Sequence, residues 1–360
     1  MEDIKASEKK KACANCGAEL KFKPGSNQLT CEYCGYEEFI EQSKSSFEEL
    51  ELEHYIKVVG ENAHTDTIEL LHCKNCGANQ HVEEHYKSLD CVYCGEPLIL
   101  EDAETEGWIL PGALVPFQLD SKKARNIFKT WVGSLWFAPD KLKRAALDPE
   151  AIHGLYLPYW TFDANLFASY QGQRGDYYYE TQTYNTGKGR KTRRVRKTRW
   201  SYVTGKVDGF VDDILVNASQ RKRNMIPSKV AFWNLKDLVP FNSKYLSGFV
   251  TEKYTVSLKE GHRQSFQKAK NIAYNWIRND IGGDTQRITN ADIKLSDETF
   301  KHVLLPIYIS SYRYDGKEFN FFINGQTGTV SGNRPYSFWK IFFLILFVIV
   351  VIGVIAIFAK

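Results

Sequence analysis

All eight cysteines of this 360-residue chain fall into four Cys-x-x-Cys pairs: Cys13/Cys16, Cys31/Cys34, Cys73/Cys76 and Cys91/Cys94. Thiolates at that spacing are soft, charged donors, and two such pairs brought together form a tetrahedral cage for zinc. Fourteen residues separate the pairs in each unit, the distance two knuckle turns need to converge from the ends of short hairpins. Glycine follows the second cysteine of every pair (Gly17, Gly35, Gly77 and Gly95), where a tight turn aims backbone N–H groups at sulfur. The units also match at Asn15/Asn75, Ala18/Ala78, Leu29/Leu89 and Tyr33/Tyr93, all at an offset of sixty, which marks a tandem duplication.

The expectation is two Zn2+ sites with four cysteine ligands each. Four thiolates leave no open position for water or substrate, so both ions are expected to be structural. His81 and His85 lie inside the second unit and gain no ligand role from a filled shell. Disulfides in a secreted domain are the competing use of these cysteines. The opening "MEDIKASEKKKA" carries charge and no apolar run, so no signal peptide is expected and the N-terminus is placed in the cytosol.

No catalytic constellation stands beside the cysteines. "GKGRKT" lacks the spacing of a phosphate loop, there is no H-E-x-x-H or G-x-S-x-G, and the histidines are scattered. Asp212/Asp213 in "GFVDDILV" form a conceivable acid pair, but neighbours on a strand face opposite ways, which favours a turn or surface role. The chain is therefore expected not to be an enzyme.

The elements that must carry these groups can be read from composition and periodicity. With 43% hydrophobic and 25% charged residues the chain can build a sizeable core, and its net charge of +4 implies no particular polyanionic partner. Between the units, "FIEQSKSSFEELELEHYIKVVGENAHTDTIELL" is acidic, with Ser46 and Glu49 spaced as a capping box. It reads either as a short helix followed by a strand leading into Cys73, or as a solvated linker.

From Ile341 to Ala359 run nineteen residues without a charged or strongly polar group, long enough at about 1.5 Å per residue to cross most of a ~30 Å hydrocarbon core. Tyr336, Phe338 and Trp339 precede the run as an interfacial aromatic belt, with Arg334 and Lys340 on the same side. These features predict a tail-anchored, single-pass protein of the cell membrane, with the bulk of the chain cytoplasmic.

Between ribbons and anchor, "ARNIFKTWV" (124–132) matches "AKNIAYNWI" (269–277), and "LPYWTF" at Leu157 matches "LPIYIS" at Leu305. Offsets of 145 and 148 suggest a second duplication: an amphipathic helix followed by an antiparallel hairpin, twice. Trp131 and Trp276 then read as core anchors of the two helices. "YDGK" predicts an Asp-Gly turn in the second hairpin.

The most polarised stretch is "GKGRKTRRVRKTRWSY", expected at the tip and return strand of a long hairpin. It gathers Lys188, Arg190, Lys191, Arg193, Arg194, Arg196, Lys197 and Arg199 within twelve positions. Three uses stand open: a solvated loop, a phosphate-backbone contact with Trp200 and Tyr202 stacking on bases, or a contact with anionic lipid headgroups. The anchor favours the headgroups.

In combination, the "CxNCGA…LxCxYCG" ribbons, "LPYWTFDA", "GxRGxYY" and "INGQTGTVSGNRP" before a terminal membrane helix resemble the bacterial TFIIB-type zinc-ribbon membrane proteins. That family is often labelled primosomal protein N′ or PriA-like helicase by analogy, but this chain has none of the ATPase motifs a helicase needs. Relatives resemble the membrane partner encoded beside phage-shock-type and SPFH (flotillin-like) membrane-stress proteins in some Gram-positive bacteria. The resemblance implies zinc on the eight cysteines and a role in recruiting such proteins to the membrane.

The expected architecture is α+β. It comprises zinc ribbons at 1–36 and 69–102, an acidic linker at 37–68, and an α+β domain at 105–330. Within that domain the copies span about 114–184 and 238–330, with the basic hairpin at 184–204. A juxtamembrane linker at 331–340 and a membrane helix at 341–359 complete it. The expected role is a scaffold that docks protein partners on its ribbons, with a membrane-tethered nucleic-acid binder as the alternative.

Overall fold

The computed structural model describes residues 12–41, 49–62, 66–73, 78–81, 88–91, 93, 97–99, 103–139, 152–187, 189–219, 226–314 and 317–358. Its strands are β1 (Leu20–Phe22), β2 (Gln28–Cys31), β3 (Glu37–Phe39), β4 (Leu50–Glu51), β5 (Asp66–His72), β6 (Asn79–His81), β7 (Ser88–Asp90), β8 (Pro97–Ile99) and β9 (Ala103–Trp108). They continue as β10 (Ala113–Leu114), β11 (His153–Thr186), β12 (Gly189–Val211), β13 (Val216–Asn217), β14 (Val239–Pro240), β15 (Val250–Glu252), β16 (Thr285–Tyr314), β17 (Lys317–Asn324) and β18 (Val330–Gly332). The helices are α1 (Leu52–Asn62), α2 (Ser121–Ser134), α3 (Leu258–Ile281) and α4 (Phe338–Phe358). The fold is mixed α and β, dominated by one large, mainly antiparallel sheet.

Strands β11 and β16 are its axis, paired antiparallel from His153↔Ile309 to Gly175↔Thr285, with Leu157 directly opposite Leu305. Near this end both faces are covered. Leu155, Leu157 and Tyr159 face one core with Val303, Leu305 and Ile307, while Tyr156 faces another with Leu304 and Tyr308. The run is therefore apolar at consecutive positions, as a strand buried on both faces requires. Past Asn165 burial alternates, and Leu166, Ala168 and Tyr170 point to the face that α3 covers.

Helix α3 starts at a capping box, with the Ser257 hydroxyl accepting from the Glu260 amide at 3.3 Å, and ends on Gly282 at φ +65°. The middle of its buried stripe, Gly261, Ser265, Ala269 and Ala273, is made of small residues, so the helix seats close to the sheet there. The sheet meets it with glycines. A Cβ on Gly205 would stand 2.6 Å from the Tyr170 hydroxyl, and one on Gly209 would stand 2.9 Å from Trp276. Helix α2, capped by Asp120 on the Lys123 amide at 2.7 Å, stacks Phe128 on Phe321 at 3.6 Å between ring centroids. Trp131 and Trp276 are both partly buried against these cores. Each helix precedes a hairpin, β11–β12 after α2 and β16–β17 after α3, the latter closing from Tyr314 to Lys317. Residues 315 and 316 of the expected Asp-Gly turn lie outside the described residues.

The cysteine units are built into this body. The first forms a separate three-stranded sheet, β1-β2-β3, but Phe22 packs on Tyr245 and Phe249, and the Gly25 amide donates to the Phe117 carbonyl at 2.8 Å. In the second, β5 and β6 join the main sheet through β15, with Thr251 opposite His81. Sheet hydrogen bonding thus crosses the boundary at 102–105, because β5 pairs with β9 over Asp66–Trp108. Between the units, α1 followed by β5 gives the helix-then-strand order. The helix begins at Leu52, and Ser46 of the expected capping box lies outside the described residues. At the far end α4 is long and apolar enough to cross a membrane, and none of Phe338–Ile355 is buried in the body. It starts three residues before the apolar run; Ala359 lies outside the described residues.

Candidate metal centre and basic hairpin

Cys13, Cys16, Cys31 and Cys34 converge at one end of the first small sheet, all four Sγ atoms within 4.8 Å of one another. Cys13 and Cys34 are 3.5 Å apart, as are Cys16 and Cys31. Zinc–sulfur bonds of about 2.3 Å in a tetrahedron put sulfurs about 3.8 Å apart, so the cluster has the size of a zinc cage. Two equivalent knuckles produce it. Gly17 and Gly35, at φ +75° and +72°, donate to the carbonyls of Cys13 and Cys31 at 2.8 and 3.0 Å.

Two of the four thiols are shifted in opposite directions by their neighbours. The Tyr36 amide draws the Cys34 thiol down to about 6. At Cys16 the Ala18 amide favours the thiolate, yet hydrogen bonding with the Cys34 and Cys31 sulfurs outweighs it and pushes the thiol up to about 12. Four thiols this close do not all ionise together unless a cation sits among them. Among the described residues this is the one thiol cluster. Cys73 and Cys91 are buried in the body core, and the Cys73 backbone amide donates to the Ala78 carbonyl at 2.9 Å, as the Cys13 amide does to the Ala18 carbonyl at 2.7 Å. Cys76, Cys94 and His85 lie outside the described residues. His81 sits on β6, with its backbone opposite Leu70 and Thr251.

The basic residues lie on β12, paired with β11 as far as Thr186↔Gly189. Because β16 stops opposite Gly175, the last stretch is a two-stranded arm running out roughly 36 Å at ~3.3 Å per residue. Register separates its cations onto two faces. Lys191, Arg193, Lys197 and Arg199 share one face with Tyr178 and Tyr184, and Arg190, Arg194 and Arg196 share the other with Tyr177 and Tyr179. Guanidinium groups cover the rings: Arg196 stands 4.2 Å from the Tyr177 centroid, Arg194 5.5 Å from Tyr179, Arg199 5.5 Å from Tyr178 and Arg193 5.9 Å from Tyr184. Lys197 pairs with Glu180. Lys188 lies outside the described residues. Isolated two-stranded ribbons are marginal in water, so these pairs, each about 0.5–1 kcal/mol when exposed, stiffen the arm.

A third cluster was not foreseen. Lys301 and Asp163 are 6% and 1% exposed, their charges 3.5 Å apart, and Lys301 also reaches Asp213 at 3.4 Å and Glu49 at 3.0 Å. Asp213 is not on a strand. Its backbone is left-handed at φ +52°, its amide donates to Asp163 at 2.5 Å and its carboxylate meets Lys301, while Asp212 stays exposed, so both lie off the strands as a turn or surface reading expects. Burial pushes the Asp163 carboxyl up to about 6 and raises Asp213, whereas the Lys301 ammonium outweighs burial and lowers Glu49.

No protein-family model and no solved structure matches the chain. It is similar to the uncharacterized protein YdjG of Bacillus subtilis (strain 168), with 27% identity over 339 residues that cover 91% of each chain.

Proposed function

We propose that this chain is a membrane-anchored, cytosol-facing scaffold that recruits partner proteins and catalyses no reaction. The observation that carries the reading is on the first ribbon. Tyr33 and Phe39 stand 85% and 71% exposed on a unit whose interior is closed by four cysteines and packed against the body. Exposed aromatics on a metal-stapled, preorganised surface suit protein docking, since little ordering remains to be done on binding.

Zn2+ is the expected ion at Cys13, Cys16, Cys31 and Cys34, and by the sequence match at Cys73, Cys76, Cys91 and Cys94. The helix α4 serves as a C-terminal anchor. Anchoring raises the local concentration of a weakly held partner, so recruitment needs both ribbon and helix. The resemblance to membrane partners of SPFH and phage-shock-type proteins supplies the partner class. The paired helix–hairpin order, with Leu157 opposite Leu305, supports reading 114–184 and 238–330 as duplicated copies.

The test is affinity capture from detergent-solubilised membranes, comparing the full chain with Tyr33→Ser/Phe39→Ser. Loss of specific partners while the protein stays in the membrane fraction is expected. Retention of every partner would sink the docking role. A second reading, membrane-tethered nucleic-acid binding, draws on the cations carried by both faces of the arm, since a planar lipid surface is met by one. Salt-sensitive binding of nucleic acid by the full chain, with no loss in the ribbon variant, would favour it.

A further inference from the structure

Helix α2 ends in a tight loop in which exposure alternates sharply. Leu135 and Ala138 are buried, yet Trp136 between them stands 75% exposed. Two hydrogen bonds lock this loop to the start of α4, two hundred residues later in the chain. The Ser337 amide donates to the Phe137 carbonyl at 2.7 Å, and the Lys340 ammonium donates to the Ala138 carbonyl at 3.0 Å. The expected juxtamembrane linker therefore ends in a fixed joint with the body.

The exposed side chains around this joint are of one kind. Tyr336, Phe338 and Trp339 are all exposed, and Arg334 lies over the Tyr336 ring at 5.4 Å. A single exposed tryptophan is ordinary on a soluble surface, but this one is next in sequence to Phe137, whose carbonyl holds Ser337 between the exposed Tyr336 and Phe338, and those rings lead directly into the apolar helix α4. An indole has an apolar body and a polar N–H edge and partitions to the boundary between headgroups and acyl chains. The Lys340 ammonium keeps to the headgroup level, and its bond to Ala138 sets the loop at that same depth.

We propose that the loop after α2 is a second membrane contact, with Trp136 inserted into the interfacial layer beside α4, so that the body is docked on the bilayer in a fixed orientation. This rests on the reading of α4 as a membrane span. Tryptophan is suited to the task because it resists full transfer in either direction, whereas leucine at the same point would only add hydrophobic pull.

The experiment uses the full chain in vesicles of phosphatidylcholine and phosphatidylglycerol, with photoreactive benzoylphenylalanine introduced in place of Trp136 or, separately, Trp339. Lipid adducts at both positions in comparable yield are the expected result. Lipid adducts at 339, with protein adducts or none at 136, would overturn the loop contact and leave the span intact. No lipid adduct at either position would overturn both. Because Trp136 is exposed, the replacement leaves folding undisturbed, and an unchanged far-UV circular dichroism spectrum checks this.

Discussion

Lys301 and Glu49, 252 positions apart, meet at 3.0 Å between ammonium and carboxylate. The contact ties the segment between the two cysteine units to the main sheet, where β4 pairs with β16 at Phe300↔Leu50. Exposed ion pairs contribute about 0–1 kcal/mol, so the Glu49 half alone would matter little. The other half is different, because Asp163 and Lys301 have left water and stand beside Asp213.

Replacing Lys301 with Met removes the cation and leaves two inward-facing carboxylates. Loss of one partner from a buried pair costs about 3–5 kcal/mol, so urea unfolding at pH 7.5 should show a loss of that order. The deficit should shrink towards pH 5. Lys301 holds Asp163 down against burial, so its loss lifts that carboxyl above the parent's value of about 6; the variant takes up the proton at higher pH, and its stability recovers relative to the parent as pH falls. Glu49 is held low by Lys301, so the variant loses that pair across the whole window and part of the deficit remains at pH 5. Equal stability of variant and parent at pH 7.5 would refute the account.

Gly205 gives way to Tyr170, whose hydroxyl donates to Asp280 at 2.5 Å. Gly205→Ala should displace the ring and lower stability by about 1–3 kcal/mol, read as a fall in melting temperature. Gly187→Ala, where nothing lies within 4 Å of the new carbon, should stay within about 0.5 kcal/mol of the parent. Similar melting temperatures for the two would show that the close seat of α3 is not glycine-dependent.

Arg196→Ala uncovers Tyr177 on the arm. With about 0.5–1 kcal/mol lost locally, amide exchange over Tyr177–Tyr179 should speed up about two- to fivefold, while exchange in α3 stays unchanged. An effect spread evenly over the body would mean that the arm is not an independent unit.

Cys13→Ser/Cys16→Ser should remove bound metal from the first unit, measured by elemental analysis of purified protein against the parent. Loosening should spread to Phe22 and its packing on Tyr245, since the knuckle closes the strand that carries it. Unchanged metal content would exclude this cluster as a site.

Local chemistry made much of this legible in advance. The knuckles depend on a short stretch with its own glycines, the helices announce themselves by Ala124, Phe128 and Val132 or by Ala269, Ala273 and Ile277, and the apolar run of α4 is read by length. What was not legible depends on pairing between distant strands. Nothing near His81 says that β6 will lie beside Thr251, and nothing near Asp213 says that a left-handed residue will turn it towards Lys301. Trp136 was invisible for the same reason, since its neighbour Phe137 meets Ser337 only in the folded chain.

Strand β11 runs without interruption from Gly154, beside the core that holds α2, to the tip of the arm at Thr186. Its first part, as far as Gly175, is braced by β16 and spans roughly 70 Å at ~3.3 Å per residue. Such a strand is a lever whose fixed end lies in the core that Tyr156 shares with α2. A tilt of about 10° there carries the braced end through roughly 12 Å, more than a Debye length of about 8 Å at physiological salt. A small change in how the body leans on its support is thus enough to bring the arm's charges within electrostatic range of a neighbour, or to take them out of it.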